Sequence, residues 1–158
     1  MARKLRIEKN GFYHIVNRGV ASPTAITKEQ MDRWVKEGLV NYLGSSDNVR
    51  VEIAQADCIV LPSYYREGTP RVLLESASMQ KPIITTDNVG CRDVVDDGVN
   101  GYLCEVRNSE DLASKMEMMI NLSKDERIAM GKAGRKKIVK EFDEKIVINK
   151  YLNSIKRF

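Results

Sequence analysis

The stretch that decides the fold runs from Cys58 to Glu75 and reads CIVLPSYYREGTPRVLLE. Its first four residues, 58–61, are all apolar, which is typical of a strand buried on both faces of a parallel sheet. A polar loop follows over residues 62–69, and the pattern predicts a helix from about Pro70 to Met79. A strand, a loop and a helix in this order form the repeating unit of an open α/β fold.

The same alternation continues on both sides of this stretch. We therefore predict an α/β fold with an open, parallel, Rossmann-like sheet and helices on both faces. Further strands are expected at Phe12–Val16, after a short basic lead, and at Leu39–Leu43, Pro82–Thr85 and Tyr102–Glu105. Further helices are expected from Thr27 to Gly38, around residues 49–56, near Asp93, and at 109–121, 124–140 and 143–156.

Length and composition favour one soluble globular domain. The chain has 158 residues, of which 42% are hydrophobic and 30% charged, enough apolar material to build a core. No apolar run approaches the roughly 20 residues of a spanning helix, and no secretory signal is recognisable. The three cysteines form no C-x-x-C pair, so we expect neither disulfides nor a zinc site, and a cytoplasmic location.

The net charge of +4 is unevenly distributed. Residues 1–18 hold five bases against one acid, and residues 123–158 hold eleven bases against five acids. Basic ends can bind nucleic acid or an anionic membrane surface, or they can be the solvated face of a helix. Because Glu141, Asp143 and Glu144 lie among the carboxyl-terminal bases, we favour the solvated face and expect no nucleic-acid partner.

The start of the helix after Cys58–Leu61 has the features of a phosphate site. Ligands of open α/β sheets bind at the carboxyl ends of strands, where the next helix begins. Thr69 is the predicted N-cap and Pro70 the first helical residue, so the first amides and the helix dipole are available to an anion. Gly68 would let the backbone approach a ligand closely, and Arg71 could add a bidentate contact to phosphate oxygens.

Two carboxylates flank this helix start. Glu67 precedes it, and Glu75 lies about 7–8 Å further along the helix axis and away from the predicted buried face. A nucleoside diphosphate fits this spacing, with Glu67 facing the group beyond the diphosphate and Glu75 accepting hydrogen bonds from ribose hydroxyls. From residue chemistry alone, two glutamates eight positions apart also occur by chance, and a surface glutamate needs no function.

Other residues near this site carry less chemistry. Cys91 lies in a loop beside Arg92, and no further residue marks it as a nucleophile. Tyr64 and Tyr65 could stack on a base, line a cleft or cap the end of the sheet. Met116, Met118 and Met119 are expected to fill gaps in the core.

Several spaced motifs occur in one order along the chain. They are Leu61-Pro62-Ser63, Glu67-Gly68-Thr69-Pro70-Arg71, Leu73-Leu74-Glu75, Lys81-Pro82-Ile83-Ile84-Thr85-Thr86-Asp87, Gly90-Cys91-Arg92-Asp93-Val94-Val95 and Asn100-Gly101-Tyr102-Leu103. Over about residues 28–157, this order resembles the carboxyl-terminal, donor-binding domain of GT-B-type, family-four retaining glycosyltransferases. The likeness is closest to bacterial members that build capsule, O-antigen or other surface glycans.

The resemblance implies transfer of a hexosyl group from a nucleotide sugar, often a UDP-sugar, with retention at the anomeric carbon. Glu67 would be the catalytic glutamate at the donor sugar, Glu75 would bind the ribose, and the amides from Thr69 to Arg71 after Gly68 would hold the diphosphate. No metal or other cofactor is implied. The expected partners are the nucleotide sugar and a glycan or lipid-linked acceptor, with contact at the inner face of the membrane.

The resemblance also implies missing parts. We expect residues 25–158 to be an incomplete GT-B carboxyl-terminal domain, without its first strand and helix and without the acceptor domain. Surfaces left by those parts could support self-association. Residues 1–24 are expected to be a basic lead and strand of foreign origin with a linker, because residues 1–19 resemble the start of REP-associated tyrosine transposases.

Two other functions stay open beside the donor-binding half of a transferase. One is a non-catalytic remnant that at most binds nucleotide. The other is a nucleic-acid binder that uses the basic ends, and its affinity for DNA would depend steeply on salt.

Overall fold

Strands and helices alternate through the middle of the chain, from residue 28 to residue 86, as the hydrophobic pattern predicts. The structure is a computed structural model that describes residues 2–8, 12–18, 28–39, 41–42, 48–64 and 68–155. The strands are β1 Ala2–Glu8, β2 Phe12–Arg18, β3 Asn41–Tyr42, β4 Cys58–Leu61, β5 Ile83–Thr86 and β6 Gly101–Cys104. The helices are α1 Lys28–Lys36, α2 Val49–Gln55, α3 Arg71–Ser78, α4 Ser109–Asn121, α5 Lys124–Glu141 and α6 Glu144–Ile155.

The strands form one sheet in the order β3-β1-β2-β4-β5-β6. Strands β2, β4, β5 and β6 run parallel to one another, so the predicted α/β fold with a parallel sheet is confirmed. The basic lead, which we did not predict to be a strand, forms β1 and pairs antiparallel with β2 and β3. Its Leu5 and Ile7 alternate with charged residues, and this period of two is that of a strand.

The apolar run of β4 supplies side chains to two cores on opposite faces of the sheet. Ile59 and Leu61 pack with residues of α2, α3 and α5. Cys58 and Val60 pack on the other face with Met119 of α4 and residues near it. All four residues of β4 are buried, and successive residues of a strand point to opposite faces. This arrangement confirms both the doubly buried strand and the helices on both faces.

Two predicted elements differ from those observed. The helix expected near Asp93 is a series of turns over residues 91–94, in which Val94 N bonds Cys91 O and Val95 N bonds Arg92 O. The chain enters this segment through Gly90, whose φ of +85° is not helical. The strand expected at Leu39–Leu43 is described only as the two-residue β3.

Buried polar contacts brace the turn that leads into β6. Asn100 is almost fully buried, accepts a hydrogen bond from Asp96 N at 2.7 Å and donates to Val94 O at 3.0 Å. Lys137 of α5 reaches the same turn, with its Nζ 2.6 Å from Asp96 Oδ1. These contacts fix the position of β6 and therefore of the loop that follows it.

A capping box begins α5. The Ser123 hydroxyl accepts a hydrogen bond from Glu126 N at 3.3 Å, and the Glu126 carboxylate accepts one from Ser123 N at 2.7 Å. The hydrogen bonds from Ser123 hold the pKa of Glu126 below its usual range. The box therefore stabilises the folded chain above the ordinary carboxyl pKa, and this contribution is lost as the pH falls through the lowered pKa.

Replacing Ser123 by Ala is expected to lower the free energy of unfolding by about 1 kcal/mol, because one helix amide loses its partner. Urea unfolding followed by circular dichroism at neutral pH measures this change. Ser109→Ala, on the first turn of α4 outside any capping box, is the matched control and should change stability little. Equal effects of the two substitutions would contradict a stabilising cap at Ser123.

No helix in the described ranges has both the length and the apolar character that crossing a membrane requires. On α6, the side chains of Ile148, Tyr151, Leu152 and Ile155 are between about half and 70% exposed.

Candidate functional site

The carboxyl ends of β4, β5 and β6 meet at one edge of the sheet. Leu61 pairs with Thr85, and Thr86 pairs with Cys104. Because parallel strands end on the same side, the loops that follow residues 61, 86 and 104 lie next to one another. This edge is where ligands of open α/β sheets bind.

Hydrogen bonds join these loops to the neighbouring strands. The Thr85 hydroxyl donates to Leu61 O at 2.8 Å, and the Thr86 hydroxyl donates to Ser63 O. On the other side of β5, Asp87 N donates to Cys104 O at 2.8 Å. The edge therefore forms a connected base for the loop between β4 and α3.

The N-cap of α3 is Pro70, so the prediction of Thr69 as N-cap and Pro70 as first helical residue is wrong by one position. Pro70 has extended backbone angles, φ −64° and ψ 125°. Its carbonyl accepts the first hydrogen bond of the helix, from Leu73 N at 3.0 Å, which is the role of a cap residue.

Helix α3 begins without a side-chain cap. Pro70 makes no side-chain cap hydrogen bond, and the first turn holds no acidic residue. An α-helix leaves its first amides without a partner inside the helix, so the amides of Arg71 and Val72 point beyond its end. These amides and the helix dipole favour a hydrogen-bond acceptor or an anion at this position.

Gly68 and Thr69 lie just before this helix end. Gly68 is exposed, and a Cβ added to it would meet no described atom within 4 Å. Packing within the described chain therefore does not explain the glycine, and space for a ligand remains beside it. Thr69 is half-buried.

Glu75 lies one turn further along α3 and pairs with Arg71. The Arg71 Nε is 3.1 Å from Glu75 Oε1, and the two side chains are 84% and 30% exposed. The buried face of the helix is formed by Leu73, Ser76 and Ala77. Glu75 is thus separate from that face, as the helical spacing predicts, and Arg71 and Glu75 are brought together on one side of α3.

Glu67 lies outside the described residues, together with Tyr65 and Arg66. Its assignment as the catalytic glutamate stays a prediction from the sequence. The described neighbours on its two sides are Tyr64 and Gly68.

The cysteines are buried. Cys58, Cys91 and Cys104 are free thiols. Burial raises the pKa of Cys58, and it raises the pKa of Cys104 to about 11, so both stay protonated at neutral pH. Cys91 is fully buried, which agrees with the expectation that it is not a nucleophile.

Two arginine contacts at the carboxyl edge were not predicted. The Arg107 guanidinium carbon lies 4.5 Å from the centroid of the Tyr64 ring. Arg92 Nη1 lies 3.3 Å from Asp87 Oδ1. The first contact joins the turn after β6 to the loop after β4, whereas the second joins two residues of the loop between β5 and β6. No periodicity in the sequence marks either pair.

Two further features bear on ligands. A hollow of about 330 Å³ lies beside the end of α5, and no predicted site residue lines it. Within the described ranges, no group of three or more His, Cys, Asp or Glu side chains could hold a metal ion. That no metal is needed stays a prediction.

A comparison with protein families identifies this chain. The family model of glycosyl transferases group 1 matches residues 28–137. This match covers more than half of the chain, which therefore belongs to this family of GT-B, family-four type.

Among the curated relatives are bacterial transferases and a bacterial synthase. An N,N'-diacetylbacillosaminyl-diphospho-undecaprenol alpha-1,3-N-acetylgalactosaminyltransferase of Campylobacter jejuni is 28% identical over 75% of this chain and 31% of its own length. An N-acetyl-alpha-D-glucosaminyl L-malate synthase of Bacillus anthracis is 33% identical over 73% of this chain and 30% of its own. The capsular polysaccharide biosynthesis glycosyltransferase CapM of Staphylococcus aureus is 33% identical over 56% and 23%. The chain thus spans about a third or less of these relatives.

Solved structures share the fold. Anabaena Alr3699/HepE in complex with UDP has a TM-score of 0.73 at 22% identity, over 82% of this chain and 35% of that one. The same protein in complex with UDP-glucose has a TM-score of 0.69. The resemblance of residues 1–19 to a transposase is not borne out.

Proposed function

We propose that this chain is the donor-binding part of a retaining glycosyltransferase that transfers a hexosyl group from a UDP-linked nucleotide sugar. The observation that carries the proposal is the start of α3, which has no side-chain cap hydrogen bond and lies at the carboxyl edge of the sheet. Membership of the glycosyl transferases group 1 family supports it.

The amides at the start of α3 would bind the diphosphate. A diphosphate carries the negative charge that free helix amides and the helix dipole stabilise. Arg71 lies on the same turn with its side chain largely exposed, so it can rotate toward phosphate oxygens. Gly68 leaves open space where a Cβ would otherwise project.

Glu75 would accept hydrogen bonds from the ribose hydroxyls. Its side chain is only 30% exposed and forms an ion pair with Arg71 at 3.1 Å. A carboxylate one turn beyond the phosphate amides suits the distance between a diphosphate and its ribose. HepE, which shares this fold, has been crystallised with UDP and with UDP-glucose.

The transfer step would depend on charge stabilisation. As the bond to the diphosphate breaks, positive charge develops at the anomeric carbon and negative charge on the leaving phosphate. Glu67 would stabilise the first, and the α3 amides with Arg71 would stabilise the second. We therefore propose that no metal is needed. Membership of the glycosyl transferases group 1 family supports the separate proposal that configuration is retained at the anomeric carbon.

The acceptor would be a surface glycan or a lipid-linked sugar. The names of two relatives support this class, since one acts on an undecaprenol-linked diphosphate and another belongs to capsular polysaccharide biosynthesis. Such an acceptor would place the protein at the inner face of the membrane.

Isothermal titration calorimetry of the full chain with UDP and UDP-glucose tests the donor site. We expect saturable binding of both ligands without added metal, and the same affinity in the presence of a chelator. GDP-glucose in the same series tests the choice of base. Absence of binding heat and of any thermal shift at millimolar concentrations of all these ligands would overturn the proposal.

A second candidate function is nucleotide binding without transfer. It is favoured by one observation, that the described part of the candidate site consists of helix amides, Arg71 and Glu75, which are groups that bind a nucleotide. Incubation with UDP-glucose and lipid-linked acceptors separates the two candidates. Binding without glucosyl transfer or UDP release would support the second.

A further inference from the structure

Arg107 has an unusual backbone for an arginine. It lies in the turn between β6 and α4 with φ +62°, the left-handed region that glycine and asparagine prefer. Its side chain is not buried, so core packing does not account for the residue. A strained backbone held by its surroundings often marks a functional position.

The turn around Arg107 is firmly held. Asn108 caps α4 by accepting hydrogen bonds from Glu110 N and Asp111 N at 3.1 and 3.0 Å. The Asp111 carboxylate in turn accepts a hydrogen bond from Glu105 N at 2.7 Å. These bonds on both sides of Arg107 fix its backbone, and hence the direction in which its side chain leaves the turn.

The side chain reaches across to the loop between β4 and α3. Its guanidinium carbon lies 4.5 Å from the centroid of the Tyr64 ring, within the range of a cation–π contact. Tyr64 follows Ser63, whose carbonyl accepts the Thr86 hydroxyl. Side chains from β5 and from the turn after β6 therefore both hold the beginning of this loop.

We propose that Arg107 is a positioning residue for the donor site. Through Tyr64 it would hold the chain at the end of β4, beside the start of α3, and so reduce the freedom that nucleotide-sugar binding removes. This inference rests on the proposed function, since the start of α3 would bind the diphosphate. Arg107 would itself not contact the donor.

The test compares four variants of the full chain. Arg107→Gly removes the cation and also the backbone strain, whereas Arg107→Lys keeps a cation. Tyr64→Leu removes the aromatic ring, whereas Tyr64→Phe keeps it. We expect UDP and UDP-glucose affinity to fall about two- to fivefold in Arg107→Gly and Tyr64→Leu, the range that an exposed cation–π contact supplies. The conservative variants should stay near the parent chain.

Two further readouts separate positioning from a merely structural role. The melting temperature of Arg107→Gly should equal or exceed that of the parent, because glycine adopts φ +62° without strain. Hydrogen exchange in a peptide over residues 62–74 should become faster in Arg107→Gly but not in Arg107→Lys. A peptide over residues 109–121 is the internal control.

The outcomes are distinguishable. Unchanged exchange and affinity in Arg107→Gly, or equal losses in Arg107→Lys, would overturn the inference. Faster exchange in the loop with no nucleotide binding by the parent chain would support the restraint by Arg107 but overturn the proposed function.

Discussion

Replacing Gly131 by Ala is expected to lower the free energy of unfolding by about 3 kcal/mol, because the added methyl group overlaps backbone. A Cβ at Gly131 would lie 1.9 Å from Gln80 O and 2.6 Å from Gln80 C. Gln80 cannot easily move, since it closes α3 with φ +58° and its amide donates to Ala77 O at 3.0 Å. Helix α5 would have to shift away from α3.

That shift would disturb both cores. Met130, next to Gly131, packs in the core with Cys58 and Val60, and Ile138 packs in the core with Ile59 and Leu61. A displacement of α5 therefore loosens contacts on both faces of the sheet. The better helix propensity of alanine, worth about 1 kcal/mol, would offset only part of this cost.

Gly134→Ala is the matched control on the same helix. Its Cβ would lie 3.6 Å from Ala77 Cβ and from Asn100 Nδ2, which is ordinary contact. We expect this variant to gain about 0.5–1 kcal/mol from helix propensity. Denaturant unfolding of both variants measures the difference, and a Gly131→Ala variant as stable as Gly134→Ala would show that α5 does not lie this close to Gln80.

The elements with local signals were predictable from the sequence. The apolar run Cys58–Leu61 is β4 residue for residue, and the predicted helix 109–121 is α4. In each case the decisive physics is local: four adjacent apolar residues mark a doubly buried strand, and Asn108 provides a cap at the start of α4. The predicted parallel sheet follows because strands and helices alternate.

The remaining features depend on contacts between distant residues. Gly131 against Gln80 and Arg107 over Tyr64 each join parts of the chain more than 40 residues apart, and no periodicity marks such pairs. The predicted N-cap of α3 was wrong by one position. Threonine is a good N-cap by propensity, but the extended backbone angles of Pro70 make Pro70 the cap residue. For the site, the assignment of Glu67 and Glu75 as flanking acids stays a prediction, and the ion pair between Arg71 and Glu75 was not predicted.

Replacing Glu75 by Ala is expected to weaken the binding of UDP and UDP-glucose about 10- to 100-fold, the loss that follows when charged hydrogen bonds to a ligand are removed. The Glu75 side chain is only 30% exposed, so it would lose little further side-chain freedom when it meets the ribose. Stability should change little, because an exposed pair of this kind contributes less than about 1 kcal/mol. Calorimetry gives the affinity and thermal unfolding the stability.

Two comparisons show whether Glu75 acts on the ribose or only through Arg71. Glu117→Ala removes an exposed carboxylate from α4 and should leave affinity unchanged. Arg71→Gln should weaken UDP more than UMP, since Arg71 would contact the diphosphate, whereas Glu75→Ala should weaken both ligands by the same factor. If Glu75→Ala weakened UDP but not UMP, its carboxylate would act by orienting Arg71, and the ribose assignment would be wrong. If Glu75→Ala left the affinity for both UDP and UMP unchanged, Glu75 would only pair with Arg71 within α3. The donor site would then have to lie elsewhere along the carboxyl edge.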